Sequence, residues 1–150
     1  MSSSEVASDP VVHEVAINAS ANRVFDAFTD PIERVRWWSA ADGRFVATHA
    51  ESDLRPGGKW TLRGTRPDGL PFLIQGEYRI VERPRVLVFT WLPDWQGDAT
   101  ESLVHVEFTE ENGVTHVRLT HSGLTTERLR TSHSGWPELL TRLQTYAEAR

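Results

Sequence analysis

The stretch 135-GWPELLTRLQTYAEAR-150 decides the reading of the chain. Trp136, Leu139, Leu140, Leu143, Tyr146 and Ala147 recur at helical spacing, while Glu138, Arg142, Gln144 and Glu148 point elsewhere. A stripe that wide requires a surface to bury it. Nearly everything from Arg44 to His121 supplies one, because it alternates apolar and polar residues in short runs separated by turns. The class is therefore α+β: a curved antiparallel sheet wrapped around a long C-terminal helix. Whatever space helix and sheet leave unfilled between them is the candidate site.

Working outward, Val11 to Asn18 alternates as a strand with one buried face. Two short helices follow it. Ser20 caps the first, which carries Val24, Phe25 and Phe28 on one side. Asp30-Pro31-Ile32-Glu33 starts the second, with Asp30 as N-cap, Pro31 at the first helical position and Glu33 placed for a capping box. Arg44 to His49 reads as a strand, and Asp53 to Gly58 as a turn. Lys59 to Thr65 then turns Trp60, Leu62 and Gly64 to one side. Arg66-Pro67-Asp68-Gly69 is a turn, since Pro presets φ and Gly accepts a left-handed position. The returning strand presents Phe72, Ile74, Gly76, Tyr78 and Ile80 inward. Pro84 breaks the chain before the strand Val86 to Leu92. A short even-numbered connection there would set Ile80 by Leu87, Tyr78 by Phe89 and Gly76 by Trp91. Pro93 to Glu101, with Trp95, is the longest irregular stretch after the N-terminal one. Asn112-Gly113 marks a two-residue hairpin loop, which pairs Phe108 with Val117, Val106 with Leu119, Val104 with His121, and Glu107 with Arg118 outside. Thr126 to His133 gives no decisive signal, and Pro137 is expected to kink any helix that runs through it.

Composition narrows the function. The 150 residues are 39% hydrophobic and 25% charged, in the range of one globular domain with a real core. We expect a flexible, Ser-rich tail over residues 1–10 and one domain over 11–150. A formal charge of -5 and a pI near 5.7 leave no electrostatic footprint for nucleic acid. No run is apolar enough to span a membrane. Cysteine is absent, and Met1 to Pro10 lacks the basic and apolar regions of a signal peptide, so a cytoplasmic location is expected. The 6 Trp and 6 Phe against a single Met suit a pocket lining as well as a core.

The inward faces carry no Asp, Glu or Lys, so neither paired carboxylates nor a Ser-His-Asp arrangement converges, and no catalytic residue is assigned. His116 and His121 are an odd number apart on one strand and face opposite ways; no metal or cofactor is expected. Arg55 with Gly57 and Gly58 suits an anion, but a salt-bridged turn accounts for it better. The candidate ligand-binding residues are Trp60, Phe72, Ile74, Tyr78, Phe89, Trp91, His121, Trp136 and Leu140. Tyr78 and His121 are the polar members, each with a competing reading as a hydrogen-bonded core residue. A plainly filled core is the competing reading for the whole set.

Val24-Phe25, Thr29-Asp30-Pro31, Trp37-Trp38, Leu54-Arg55-Pro56-Gly57-Gly58-Lys59-Trp60, Asp68-Gly69, Gly76-Glu77-Tyr78, Leu87-Val88-Phe89-Thr90-Trp91, Leu119-Thr120-His121 and His133-Ser134-Gly135-Trp136 stand in a telling order and spacing. Together they resemble the activator of heat-shock protein 90 ATPase, C-terminal-domain-like branch of the START-like (SRPBCC) superfamily, over roughly residues 11 to 148. The resemblance implies the helix-grip fold, with two short helices after the first strand and a cavity under the C-terminal helix. It also implies an antiparallel pairing of first and last strands that brings His13 near His121. Pro137 departs from the family pattern. The superfamily hosts carriers of hydrophobic ligands, polyketide cyclases and a co-chaperone domain, so fold alone does not choose among them. The leading expectation is non-catalytic binding of a small, largely hydrophobic molecule. The alternatives are a cyclase or aromatase-like enzyme and a co-chaperone-type interaction domain, the latter with a chaperone partner for which the sequence itself offers no support.

Overall fold

A computed structural model describes residues 10–38, 46–94, 101–124 and 136–149. In chain order the elements are β1 (Val11–Ile17), α1 (Ala21–Thr29), α2 (Pro31–Trp38), β2 (Val46–Ser52), β3 (Lys59–Thr65), β4 (Pro71–Glu82), β5 (Val86–Pro93), β6 (Ser102–Glu111), β7 (Val114–Ser122) and α3 (Trp136–Glu148). The seven strands form one antiparallel sheet in the order β1-β7-β6-β5-β4-β3-β2. This is the helix-grip arrangement, with the three helices inside the curl of the sheet.

The hairpin at Asn112-Gly113 fixes one half of the sheet. Asn112 (φ 55°) and Gly113 (φ 80°) both take left-handed backbone, as a tight two-residue turn demands. The expected register follows: Glu111 opposite Val114, Phe108 opposite Val117, Val106 opposite Leu119 and Val104 opposite His121. β1 then pairs antiparallel with β7, placing Val11 opposite His121 and His13 opposite Leu119.

The β4–β5 pair differs from expectation at one end. Glu82 lies opposite Val86, so the connection around Pro84 holds an odd number of residues, and Arg79 bulges to compensate. Tyr78 still meets Phe89, but Ile80 falls opposite Val88 and Val81 opposite Leu87. A slip of one residue exchanges faces. Ile80 is consequently 42% exposed, and Val81 packs on the core in its place. β5 also continues one residue beyond the expected end, through Pro93. The loop tryptophan Trp95, strand-start residues Arg44 and Phe45, and the segment Thr126 to His133 lie outside the described residues.

Both helix starts behave as caps. Ser20 Oγ accepts the Arg23 N–H at 3.1 Å, and Glu110 Oε1 accepts the Ala21 N–H at 2.8 Å. Asp30 Oδ1 accepts from Ile32 N at 2.9 Å and Glu33 N at 3.1 Å. The reciprocal half of the expected capping box is missing, because the Asp30 N–H is taken by Asp26 O. Glu33 instead accepts from Arg23 of α1 and from the Tyr146 hydroxyl of α3, tying three helices together. Asp30→Ala should therefore lower stability by about 1 kcal/mol, with Asp30→Asn recovering most of it in urea denaturation. Equal losses in the two variants would show that the cap is not the stabilising feature.

α3 begins at Trp136, which puts Pro137 in its first turn. A first-turn N–H has no intrahelical acceptor anyway, so the expected kink does not arise. The far end of the helix is pinned to β1: Gln144 Nε2 donates to Ala16 O, and Glu148 Oε2 accepts from Asn18 N, each at 2.8 Å.

Candidate ligand site under the C-terminal helix

The alternation of β3, β4 and β5 turns Trp60, Phe72, Ile74, Tyr78, Phe89 and Trp91 to the concave face, and α3 lays Trp136 and Leu140 against them. With His121 from β7, all nine candidate residues are buried. The eight apolar or aromatic ones belong to a single packed cluster. The ring network runs through it without a break. Trp91 lies 5.1 Å from Trp136, 5.7 Å from Trp60 and 5.9 Å from Trp38, and Trp60 stands edge-on to Phe89 at 5.4 Å. Trp38 also meets Trp136 at 6.1 Å and Trp37 at 5.6 Å. Five tryptophans thus line one region between α2, α3 and the sheet. Trp37 and Trp38 are the additions, and a paired Trp-Trp at the end of an amphipathic helix is the signal for them.

The polar groups form a directed chain. The Trp136 indole Nε1–H donates to His121 Nδ1 at 3.0 Å, which requires that nitrogen to be bare. The imidazole proton therefore sits on Nε2, which lies 2.7 Å from Ser102 Oγ and donates to it. The Ser102 hydroxyl in turn reaches the Trp91 carbonyl at 3.4 Å. His121 is 0% exposed, neutral and held in one tautomer, with both ring nitrogens engaged. Ser102 opens β6 on the same face as Val104, but sequence reasoning missed it because a serine at a strand end carries no apolar signal. Tyr78 hydrogen-bonds through its hydroxyl to Ser52 Oγ on edge strand β2 at 2.6 Å.

His13 sits on the same face, one row from His121 rather than opposite it. Burial pushes its pKa below the ordinary imidazole value, and its Nε2 has no hydrogen-bond partner. His116 points outward and pairs with Glu14 at 2.9 Å. Among the described residues no three His, Cys, Asp or Glu side chains gather as a metal site. Arg55 forms an exposed pair with Asp53 at 2.9 Å, the salt-bridged turn expected of that segment.

One buried charge was not anticipated. Arg34 of α2 is only 4% exposed. Its Nε and Nη2 donate to the Phe28 carbonyl at 2.9 and 2.7 Å. Its guanidinium carbon lies 5.1 Å from the centre of the Trp60 ring and 5.7 Å from that of Phe28. In the sequence Arg34 reads as the polar side of a short helix, and only the tertiary fold turns it inward. A separate open groove of about 560 Å³ lies between the start of α1 and the β4–β5 turn, lined by Ala21, Glu82, Pro84, Arg85, Phe108 and Glu110 among others. It includes none of the nine candidate residues.

A family-level match to the Activator of Hsp90 ATPase homolog 1-like proteins spans residues 18–148. The chain belongs to this family. Solved structures agree with the family assignment. The AHSA1-like protein of Aeromonas hydrophila shares 28% identity and a TM-score of 0.76, over 94% of this chain and 93% of that one. A Chromobacterium violaceum protein gives a TM-score of 0.80 at 19% identity, covering 93% and 96% of the two chains. An HSP90 activator from Plasmodium falciparum gives 0.69 at 24% identity, covering 91% and 94%. These last two likenesses speak to the fold alone. A search of curated proteins returned no match. Among the described residues, no helix of the chain is long and apolar enough to cross a membrane.

Proposed function

We propose that the protein binds a small, largely hydrophobic molecule between the sheet and α3, without chemical turnover. The supporting observation is the tryptophan wall, in which Trp38, Trp60, Trp91 and Trp136 gather from four elements with ring centres 5.1–6.1 Å apart. Rigid aromatic surface with a few placed polar groups is the usual composition of a small-molecule site. Trp60, Phe72, Ile74, Tyr78, Phe89, Trp91, His121, Trp136 and Leu140 are its proposed lining. Turnover is the weaker reading because His121, the histidine among the candidate residues, already spends both ring nitrogens on protein partners. A co-chaperone role, suggested by the family's name, calls for an exposed apolar patch. Among the described residues the exposed large apolar ones, Val12, Ile32, Leu70, Ile80, Leu103 and Val114, are spread over six different segments, which favours the ligand-binding reading.

Nile red, a neutral environment-sensitive dye, should bind the folded protein and quench its tryptophan fluorescence. The measurement is a titration at a temperature where unfolding is negligible. Absence of binding to native protein, with binding only as it unfolds, would count decisively against the site.

A further inference from the structure

Arg34 offers a clue to what such a ligand carries. An arginine only 4% exposed ordinarily sits against a carboxylate, because an uncompensated charge in the interior is costly. Among the described residues no Asp or Glu forms an ion pair with it, and its hydrogen bonds go to one neutral oxygen, Phe28 O. That carbonyl lies in the last turn of α1, where the helix dipole supplies roughly half a negative charge. The faces of Phe28 and Trp60 add cation–π attraction. These contacts hold the group in place and leave part of its charge unanswered.

Geometry then shows which edge is left over. Nε and Nη2 form the side edge of the guanidinium, and that edge is taken by Phe28 O. The end edge, made of Nη1 and the second N–H of Nη2, has no acceptor among the described residues. Two parallel N–H donors in that fork match the two oxygens of a carboxylate, a geometry that a lysine ammonium does not offer. The guanidinium also lies over Trp60, which contacts Phe89 and Trp91, so its place is on the wall of the proposed site.

We propose that the ligand is an amphipathic acid, an aromatic or aliphatic body bearing one carboxylate, and that the free edge of Arg34 receives this carboxylate. The assignment rests on the binding site proposed above and specifies its polar end. Neither the tryptophan wall nor the Trp136–His121–Ser102 chain supplies a charge, which leaves Arg34 as the group that distinguishes an acid from its neutral analogue.

The test uses 2-naphthoate and its uncharged isostere 2-naphthamide, titrated against intrinsic tryptophan fluorescence beside Nile red. In the wild-type protein naphthoate should bind at least about tenfold tighter than naphthamide, the ratio expected when a charge-assisted pair is lost. Arg34→Met should erase the preference and leave naphthamide within about threefold of its wild-type affinity. Arg34→Lys, which keeps the charge without the fork, should retain an intermediate preference, and it carries the test should Arg34→Met fail to fold. Equal binding of acid and amide by a wild-type protein that binds Nile red would overturn the role of Arg34 and leave the apolar site standing. Persistence of the full preference in folded Arg34→Met or Arg34→Lys would overturn it too. Failure of all three probes to bind the wild-type protein would remove both the site and its acid specificity.

Discussion

Trp136→Ala should cost about 3–5 kcal/mol of stability, the range for truncating a large buried aromatic. The ring is 3% exposed and touches Trp38, Trp91 and His121, so the surroundings have little freedom to close over the gap. A second loss comes with it. The hydrogen bond from the indole N–H to His121 Nδ1 goes with the ring, an added loss of about 0.5–1.5 kcal/mol. Trp136→Phe separates the two contributions, since it keeps most of the packing and loses only the N–H. Denaturant unfolding should rank wild type above Trp136→Phe above Trp136→Ala. A Phe variant as stable as wild type would show that the hydrogen bond to His121 contributes nothing.

The same residue discriminates between a core role and a role in dye binding. Trp136→Leu alters the proposed site, whereas Phe108→Leu alters the core deeper in the sheet, beside Phe25 and Phe28. If Nile red sits under α3, its affinity should fall more in the first variant than in the second, measured on folded protein. Equal effects or the reverse order would leave Trp136 as core alone and take α3 out of the binding site.

The tight hairpin made the β6–β7 half of the sheet legible, because Asn112-Gly113 admits one turn geometry and every later pairing follows from it. The β4–β5 half was less so. The bulge at Arg79 depends on how the connection around Pro84 closes, and alternation in sequence continues through a bulge as though it were not there. Ile80 was misplaced for that reason alone. For the candidate site, strand alternation and the helical stripe were enough to gather the nine candidate residues, since eight are apolar or aromatic members of one buried cluster and His121 keeps the same inward period. Arg34, Ser102 and Ser52 were hidden for a common physical cause. Arg34 and Ser102 are buried and Ser52 is half-buried, and a polar side chain adds no apolar signal to mark the elements that dock over it.

Gly76 carries the other large expected effect. The ring nearest Gly76 is that of Trp60, which lies opposite it on β3, and a backbone oxygen of β5 comes closer still. A Cβ at this position would lie 2.6 Å from Trp60 Nε1 and 1.9 Å from the backbone oxygen of Thr90. The side chain has some room to turn, but the backbone oxygen has little. Thr90 belongs to β5, and its Oγ1 already accepts the Glu77 N–H at 2.8 Å, so retreat of that oxygen means parting β4 from β5 at the centre of the sheet. Gly76→Ala should therefore destabilise by about 3 kcal/mol or more, the upper end of what added volume costs in a packed interior. Gly69→Ala is the proper control: nothing lies within 4 Å of its Cβ, and the cost of its φ of +87° should be about 1–2 kcal/mol. Adding Trp60→Phe to Gly76→Ala then identifies the obstacle. Since the shorter contact is with backbone, the double variant should regain little of the loss beyond what Trp60→Phe itself changes. Substantial recovery would assign the requirement for glycine to the indole alone, and a Gly76→Ala protein no less stable than Gly69→Ala would mean that β4 and β5 do not approach as closely as described.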